Sequence, residues 1–300
     1  MYAIETEGLT KYYGKARGVI DLNFHIDEGE IFGFIGPNGS GKTTTIRLLL
    51  SLLFPTSGTG RVFNHDIVKE GPRIKKIVGF VPSEVNYYKK MSVKELLEYS
   101  ARFYGASLDH HFNRLVDMLD LDLSRKIEDL SMGNRKKVAV IQSLIHKPRL
   151  LILDEPTSGL DPLIQNRFFE VLKEANAKNT TIFFSSHVLS EVEKICHKVA
   201  IIKEGRIINV DDIRSLKEKL LNRVTFRLKD GTHDVSFDIP GMISLKKHKN
   251  EMSFLYKGEI TGLLRDLSQL PIEKITITEP DLEEVFMHYY QDSGSGETMR

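Results

Sequence analysis

Apolar residues along the chain follow two patterns, which predict buried strands in alternation with helices. The uninterrupted apolar run at residues 31–35 is typical of a strand buried on both faces, as are the run at 150–153 and the largely apolar segment 180–186. Residues 44–53 instead carry apolar side chains at the three- and four-residue spacing of one helical face. Alternation of this kind predicts an α/β fold.

Shorter segments with alternating polarity lie around these runs. Residues 3–31 predict short antiparallel strands around turns, and residues 60–81 predict further strand pieces. The segment 199–208 predicts a hairpin that turns at Glu204 and Gly205.

A helical block, about residues 84–150, interrupts the alternation of strands and helices. Ser92 and Glu95 have the spacing of a capping box, which predicts a helix from this point to about Tyr104. Apolar spacing predicts a second helix over residues 108–119. The block therefore looks like an insertion into the α/β unit.

The C-terminal segment, about residues 222–291, predicts a separate small α/β domain. Four stretches with period two (RVTFRLK, HDVSFDI, EMSFLYK and KITITE) predict strands, and residues 260–270 and 281–290 predict helices. A polar tail over residues 292–300 is expected to be disordered. No catalytic constellation stands out in this segment, so an accessory or dimer-stabilising role is expected for it.

Composition narrows the range of partners. The 42 Lys and Arg residues balance 41 Asp and Glu residues, so no basic surface predicts a nucleic-acid partner. The single cysteine, Cys196, has no partner for an internal disulfide, which fits a reducing compartment. The start of the chain lacks a secretory signal, and no apolar run approaches the about 18 residues of a membrane-spanning helix. The chain is therefore not expected to insert into a membrane itself, and it would reach one through another chain.

The segment GPNGSGKTT fits the phosphate-loop pattern G-x-x-x-x-G-K-S/T, between a predicted strand and a predicted helix. Glycines allow the backbone to turn its N–H groups toward phosphate oxygens, and the following helix presents its positive end to them. Lys42 is expected to reach the β- and γ-phosphates, and the Thr43 hydroxyl to hold Mg²⁺. The predicted phosphate-binding residues are Gly36, Pro37, Asn38, Gly39, Ser40, Gly41, Lys42, Thr43 and Thr44.

Two carboxylates follow the predicted strand at 150–153, at the end where ligands of open α/β sheets collect. Asp154 is predicted to bind Mg²⁺ through water, and Glu155 to orient or deprotonate the attacking water. His187 follows the next apolar run and is a candidate contact of the γ-phosphate. Asp161 precedes Pro162 at a helix start, where capping alone would explain it.

An aromatic side chain in the first predicted turn is a candidate for stacking on an adenine. Tyr12 and Tyr13 both lie there, and Tyr13 is the preferred candidate of the two. The alternative is a half-exposed turn tyrosine with no ligand.

Five motifs taken together (GPNGSGKTT, LSMGN, LLILDEP, SGLD and SSH) resemble the ATP-binding subunit of an ABC transporter over about residues 1–215. The resemblance implies a P-loop NTPase fold, with a RecA-like core, an antiparallel β subdomain and a helical subdomain. It also implies roles in ATP and Mg²⁺ binding and in catalysis. For nucleotide binding, the resemblance implies that Tyr13 stacks on adenine, that Gly36–Thr44 bind the triphosphate and that Asp154 supports Mg²⁺. For catalysis, it implies that Glu155 is the catalytic carboxylate and that His187 senses the γ-phosphate. It also implies that Ser158–Asp161 form the interface loop.

The family resemblance also implies a second ATP-binding cassette and a separate transmembrane permease subunit. The signature residues Ser131 and Gly133, with Asn134 beside them, would face the nucleotide held by the other cassette. ATP would thus join two cassettes, and its hydrolysis would release them and move the permease on the cytoplasmic face of a bacterial membrane. The ending EPDLEEVF resembles that of exporters of drugs and antimicrobial peptides.

Three departures from the family pattern keep other interpretations open. Met132 replaces a usual glycine, Asn134 a usual glutamine, and Ser83 another usual glutamine, with Glu84 beside it as the other candidate for that role. They leave room for a regulatory cassette that binds ATP without hydrolysing it, although the intact Glu155 and His187 favour an active ATPase. A soluble ATPase that acts on ribosomes or DNA is disfavoured by the single cassette, the lack of sustained heptads and the balanced charge.

Overall fold

A computed structural model describes residues 1–88, 90–213, 222–229, 239–248 and 250–278, and the chain divides into two compact units, Met1–Asp211 and Asp212–Arg300. The strands of the first unit are β1 (Tyr2–Tyr13), β2 (Ala16–Asp27), β3 (Ile31–Ile35), β4 (Ser57–Val62), β5 (His65–Asp66), β6 (Val78–Val81), β7 (Leu150–Asp154), β8 (Thr181–Ser186), β9 (Lys198–Lys203) and β10 (Arg206–Asp212). Its helices are α1 (Lys42–Leu49), α2 (Gly71–Ile77), α3 (Val93–Tyr104), α4 (His110–Leu119), α5 (Met132–Leu144), α6 (Pro162–Ala177) and α7 (Leu189–Ile195). Among the residues described, no helix is both long and apolar enough to cross a membrane.

The central sheet of the first unit has six strands in the order β10-β9-β3-β8-β7-β6. Strands β9, β3, β8, β7 and β6 run parallel, and all residues of β3, β7 and β8 are buried, as the apolar runs predict. Within it the Phe183 ring packs against the rings of Phe32 and Phe34. Because the strands are parallel, the segments that follow β3, β7 and β8 all lie at one edge of the sheet.

An antiparallel sheet in the order β2-β1-β4-β5 forms the other layer of strands. The predicted antiparallel pairing is confirmed, but β1 and β2 are 12 residues each and not short. The pairing has several register shifts, including one between Thr6 and Leu9.

Helix α2 corrects the prediction that residues 60–81 contain strand pieces throughout. Gly71 and Ile74 are buried and Ile77 is partly buried, which is the spacing of a short helix, and Pro72 lies in its first turn. Helix α1 also begins and ends earlier than the predicted span of 44–53, because its first turn continues directly from the glycine loop and Ser51 adopts a positive φ of 55° after it.

Helices α3, α4 and α5 form the inserted block. The predicted capping box is present, since the Ser92 side chain accepts a hydrogen bond from Glu95 N and the Glu95 carboxylate accepts one from Ser92 N. The Asp109 side chain caps α4 by accepting hydrogen bonds from His111 N and Phe112 N, and the Ser131 side chain caps α5 by accepting one from Asn134 N. The predicted hairpin is also confirmed: Glu204 and Gly205 have φ of 49° and 76°, as tight β-turns of this kind require.

The second unit contains β11 (Asn222–Leu228), β12 (Met242–His248), β13 (Glu251–Tyr256), α8 (Ile260–Leu267) and β14 (Ile272–Thr278). Its sheet is antiparallel in the order β12-β13-β11-β14, and Leu263 and Leu267 of α8 join a core with Phe226 and Phe254. The prediction missed β12, whose lysine-rich sequence is that of a strand at a sheet edge. The predicted strand HDVSFDI (except its last residue, Ile239), the helix at 281–290, the ending EPDLEEVF and the tail lie outside the described residues.

Candidate nucleotide-binding site

The loop between β3 and α1 depends on its glycines. Gly39 and Gly41 adopt φ of 77° and 115°, which residues with a side chain rarely reach. A Cβ atom at Gly36 would collide with the carbonyl oxygen of Ile202 and lie 2.6 Å from Ser40 Oγ. The backbone can therefore curl only with glycine at these positions, as the phosphate-loop pattern predicts.

The hairpin between β9 and β10 braces the same loop. Gly205 N donates a hydrogen bond of 2.8 Å to Ser40 O, and Gly205 O accepts one from Ile20 N at 2.7 Å. Ser40 Oγ is buried and has no hydrogen-bond partner among the residues described. A buried polar atom without a partner costs free energy, so this hydroxyl fits a loop that forms further hydrogen bonds to a ligand.

Lys42 occupies the inside of the loop and is only 5% exposed. Its Nζ atom donates to Gly36 O at 2.8 Å and to Pro37 O at 3.2 Å, and it lies 3.3 Å from Glu155 Oε1. The loop thus surrounds a fixed positive charge, which fits the binding of a phosphate group.

Asp154 receives two hydroxyl hydrogen bonds at the end of β7. Thr43 Oγ1 donates to its Oδ2 atom and Ser185 Oγ to its Oδ1 atom, both at 2.9 Å. The Asp154 side chain is buried. A carboxylate and a hydroxyl oxygen in contact are ligands of the kind that Mg²⁺ prefers, so Thr43 and Asp154 fit the ion predicted for them.

Glu155 lies between a cation and an imidazole. Its Oε1 atom is 3.3 Å from Lys42 Nζ and 3.3 Å from His187 Nδ1. Its backbone adopts a positive φ of 48°, and Glu155 N donates to Ser185 O at 3.1 Å, which turns the side chain toward the loop. The structure therefore brings the three predicted catalytic residues, Lys42, Glu155 and His187, into one group.

Tyr13 lies beside the first turn of α1 with an accessible ring. Its hydroxyl oxygen is 3.5 Å from Thr44 Oγ1, and Lys11 Nζ is 5.7 Å from the ring centroid. The residue is 45% exposed, against 40% for Tyr12. Proximity to the phosphate loop favours Tyr13 over Tyr12 as the candidate for stacking.

The signature residues form a separate group at the start of α5. Ser131 Oγ accepts a hydrogen bond of 3.3 Å from Asn134 N, and a Cβ atom at Gly133 would lie 3.0 Å from Gly159 O. The Met132 side chain packs so closely on Gly159 that a Cβ atom there would collide with it. A cavity of about 310 Å³ lies against these residues and Asp161, whose Oδ1 atom caps α6 through Ile164 N.

Over the described part of the chain, no hydrogen bond or ion pair joins residues 131–134 to residues 36–44. The family resemblance implies that the signature would instead serve the nucleotide of another cassette.

Lys136 was missed by the sequence analysis. It is 2% exposed, and its Nζ atom donates to Pro82 O and Ser83 O, both at 2.8 Å. Burial lowers the pKa of Lys136 to about 8, whereas the charges of Asp154 and Glu155 act in the opposite direction. Ser83 takes part through its backbone only in this contact, and the side chains of Ser83 and Glu84 are exposed.

A glycine loop that follows one strand of a parallel sheet, with an acidic pair at the end of a second strand two places away in the same sheet, defines a P-loop NTPase. A family model described as "ABC transporter" matches residues 19–158. The bacitracin transport ATP-binding protein BcrA of Bacillus licheniformis is 32% identical over 299 residues, which cover 95% of this chain and 96% of BcrA. The daunorubicin/doxorubicin resistance ATP-binding protein DrrA of Streptomyces peucetius is 33% identical, over 95% of this chain and 91% of DrrA. The chain belongs to the ATP-binding subunits of ABC transporters.

Solved structures agree with this assignment. The ATP-binding subunit of an ABC transporter superposes with a TM-score of 0.67 at 27% identity, over 72% of this chain and 92% of its own. The cassette MJ0796, solved as a dimer in a post-hydrolysis state with ADP and Pi, has the same fold, with a TM-score of 0.64 at 23% identity over 70% of this chain and 99% of its own. The fold is therefore the P-loop NTPase fold predicted from the motifs, and the chain is an ABC ATPase related to exporter subunits.

Proposed function

We propose that two copies of this cassette, or this cassette and a related one, bind Mg·ATP between them and that hydrolysis drives a separate transmembrane permease. The observation that carries the proposal is the meeting of Lys42, Glu155 and His187 in one group, with the signature elsewhere on the same chain. In this proposal the signature of a second cassette completes the site.

In this proposal the residues of one chain share the work of binding and hydrolysis. Lys42 and the N–H groups of the loop bind the phosphates, and Thr43 and Asp154 hold Mg²⁺, which neutralises phosphate charge when bound. Glu155 accepts a proton from, or orients, the attacking water, and His187 holds the Glu155 carboxylate and contacts the γ-phosphate. Tyr13 stacks on the adenine.

The second cassette supplies the other half of the phosphate contacts. The Ser131 hydroxyl, the Gly133 N–H and Asn134 lie at the N-terminus of α5, where the helix dipole favours a phosphate. Gly159, Leu160 and Asp161 line the cavity at the signature, and the loop 158–161 joins the same interface in this proposal. ATP thus favours the closed dimer, and the loss of the γ-phosphate favours the open one.

An aromatic face on α3 is the proposed contact of the permease. Tyr99 and Phe103 lie one helical turn apart and are 56% and 76% exposed. The loop after β6 is joined to this helix, because Tyr87 Oη donates to Gln142 Oε1 and Gln142 Nε2 donates to Ser100 Oγ. Large exposed aromatic side chains are enriched at protein interfaces. Through this face the chain would be held at the cytoplasmic side of the membrane without inserting into it.

The cargo class is proposed from the relatives. BcrA is named for bacitracin transport, DrrA for daunorubicin and doxorubicin resistance, and LnrL of Bacillus subtilis, 29% identical over 99% of this chain, for linearmycin resistance. We propose that the transporter exports an antimicrobial compound of this kind. The second unit would have an accessory or dimer-stabilising role.

A steady-state ATPase assay on the purified chain, alone and with its permease in vesicles, tests the proposal. We expect Mg²⁺-dependent turnover that Lys42→Ala removes and that rises when the permease is present. Phe103→Ser should abolish that rise and leave the turnover of the isolated chain unchanged. Binding of ATP by a wild-type protein without turnover would instead identify a regulatory cassette, and salt-resistant co-purification with ribosomes and not with membranes would identify a soluble ATPase.

A further inference from the structure

A buried lysine joins the signature helix to the loop that follows β6. The Nζ atom of Lys136 donates to Pro82 O and Ser83 O at 2.8 Å, and the residue is 2% exposed. The two contacts join α5 to residues of the loop that lie 54 and 53 positions earlier in the sequence. Burial of an ammonium group without hydrogen-bond partners destabilises the folded protein. The Lys136 ammonium therefore has to stay within hydrogen-bond distance of the two carbonyl oxygens, which fixes its position.

The loop that Lys136 holds lies next to the acidic pair. Strands β6 and β7 are parallel neighbours with Val81 opposite Leu153. The next residues along the chain are Pro82, just after β6, and Asp154, the last residue of β7. The Lys136 ammonium therefore binds the loop that follows β6, the strand paired with the one that ends at Asp154.

The neighbouring lysine provides a contrast. Lys137 is also buried in α5, at 9% exposure, but its Nζ atom donates to Asp120 O at 3.2 Å, within the inserted helical block. Its contact holds the block together and does not reach the loop after β6. Two adjacent lysines with similar burial thus connect the same helix to different parts of the molecule.

We propose that Lys136 is a positioning residue for ATP hydrolysis, which transmits movement of the signature helix to the loop beside Asp154 and Glu155. This inference rests on the proposed function, in which α5 contacts the ATP of the other cassette. The connection uses backbone carbonyls, so it does not depend on the side chain at position 83.

The test compares Lys136→Met, Lys136→Gln, Lys136→Arg and the control Lys137→Met in the full chain, by ATPase kinetics and thermal unfolding. We expect Lys136→Met to lower kcat by about 10- to 100-fold with KM changed by less than about three-fold, because the loop loses its position and not its nucleotide contacts. Lys136→Arg, which keeps charged donors, should recover most of kcat, and Lys136→Gln, which keeps two N–H donors, part of it. Lys137→Met should lower Tm but leave kcat within about two-fold.

Equal losses of kcat in Lys136→Met and Lys137→Met, or no recovery with arginine, would overturn the inference and leave the proposed function intact. If Lys136→Met does not fold, the kcat values of Lys136→Gln and Lys137→Gln are compared instead, and equal losses of kcat would overturn the inference. Failure of the proposed function would give a different result, because the ATPase rate of the wild-type protein would then be no higher than that of Lys42→Ala.

Discussion

The Nζ atom of Lys42 lies 3.3 Å from the Oε1 atom of Glu155, so an ion pair joins the phosphate loop to the acidic pair. The same oxygen is 3.3 Å from His187 Nδ1. A triphosphate bound in the loop would compete with Glu155 for the lysine. We infer that nucleotide binding releases the Glu155 carboxylate for its contact with water, which makes this residue the first to test.

Glu155→Gln is expected to retain ATP binding and to slow turnover by about 10²- to 10⁴-fold, because the amide is unable to accept the proton. Since ATP then stays intact, the variant should accumulate as a dimer in size-exclusion chromatography with Mg·ATP. Glu174→Gln, which removes a carboxylate paired with Arg114 on the surface, is the control. Unchanged turnover in Glu155→Gln would remove the residue from the catalytic role.

Thr43→Val tests the proposed magnesium ligands. The substitution removes the hydroxyl that donates to Asp154 Oδ2 and keeps the shape of the side chain. We expect the Mg²⁺ concentration for half-maximal ATPase activity to rise by about ten-fold or more, as loss of a ligand and its orientation implies. Thr45→Val is a matched control, because the Thr45 hydroxyl is buried in the same helix and donates to Gly41 O. Equal effects of the two substitutions would contradict the assignment.

Ser92→Ala should destabilise the first unit by about 0.5–2 kcal/mol, since it removes one half of the capping box of α3. Urea unfolding measures the loss. Ser92→Thr keeps a hydroxyl at the same position and should retain most of the stability. If Ser92→Ala has the same free energy of unfolding as the wild type, the capping hydrogen bonds do not contribute to stability.

Asp109 gives a pH-dependent contribution to stability. The Lys147 ammonium, 2.7 Å away, and the N–H groups of Phe112 and His111 lower the pKa of Asp109 from 3.8 to about 2. A carboxyl group with a lowered pKa stabilises the folded state above pH 3.8, and the contribution is lost as the pH falls from there toward 2.

Asp109→Asn therefore should lower Tm at pH 7 and approach the wild-type value as the pH falls below 4, because asparagine still caps the helix but carries no charge. Lys147→Met should show the same trend. A Tm difference that stays constant from pH 7 to the acid limit of folding would exclude the ion pair as its cause.

Motifs with a fixed chemical requirement were the most predictable parts of the site. The phosphate loop needs glycine at Gly39 and Gly41 whatever surrounds it, and a buried strand delivers Asp154 and Glu155 to the sheet edge by geometry alone. The grouping of Lys42, Glu155 and His187 is confirmed as a contact, whereas their catalytic roles stay predictions.

Features that depend on distant packing escaped prediction. Lys136 has no pattern that distinguishes it from Lys137, and only the folded chain shows which of the two reaches the loop after β6. Helix α2 is two turns long with one fully buried apolar side chain, Ile74, so its spacing repeats too few times to separate it from a strand. Strand β12 lies at a sheet edge, where burial imposes little alternation on the sequence.

The hydrogen bond between Thr43 and Asp154 spans 111 positions of sequence. Contacts of such separation form only after much of the intervening chain has lost its conformational freedom, so no short fragment can assemble them. ATPase activity therefore reports whether the first unit is folded. As the denaturant concentration rises, ATP turnover should be lost together with the pairing of β3, β8 and β7. No partly folded species should retain turnover.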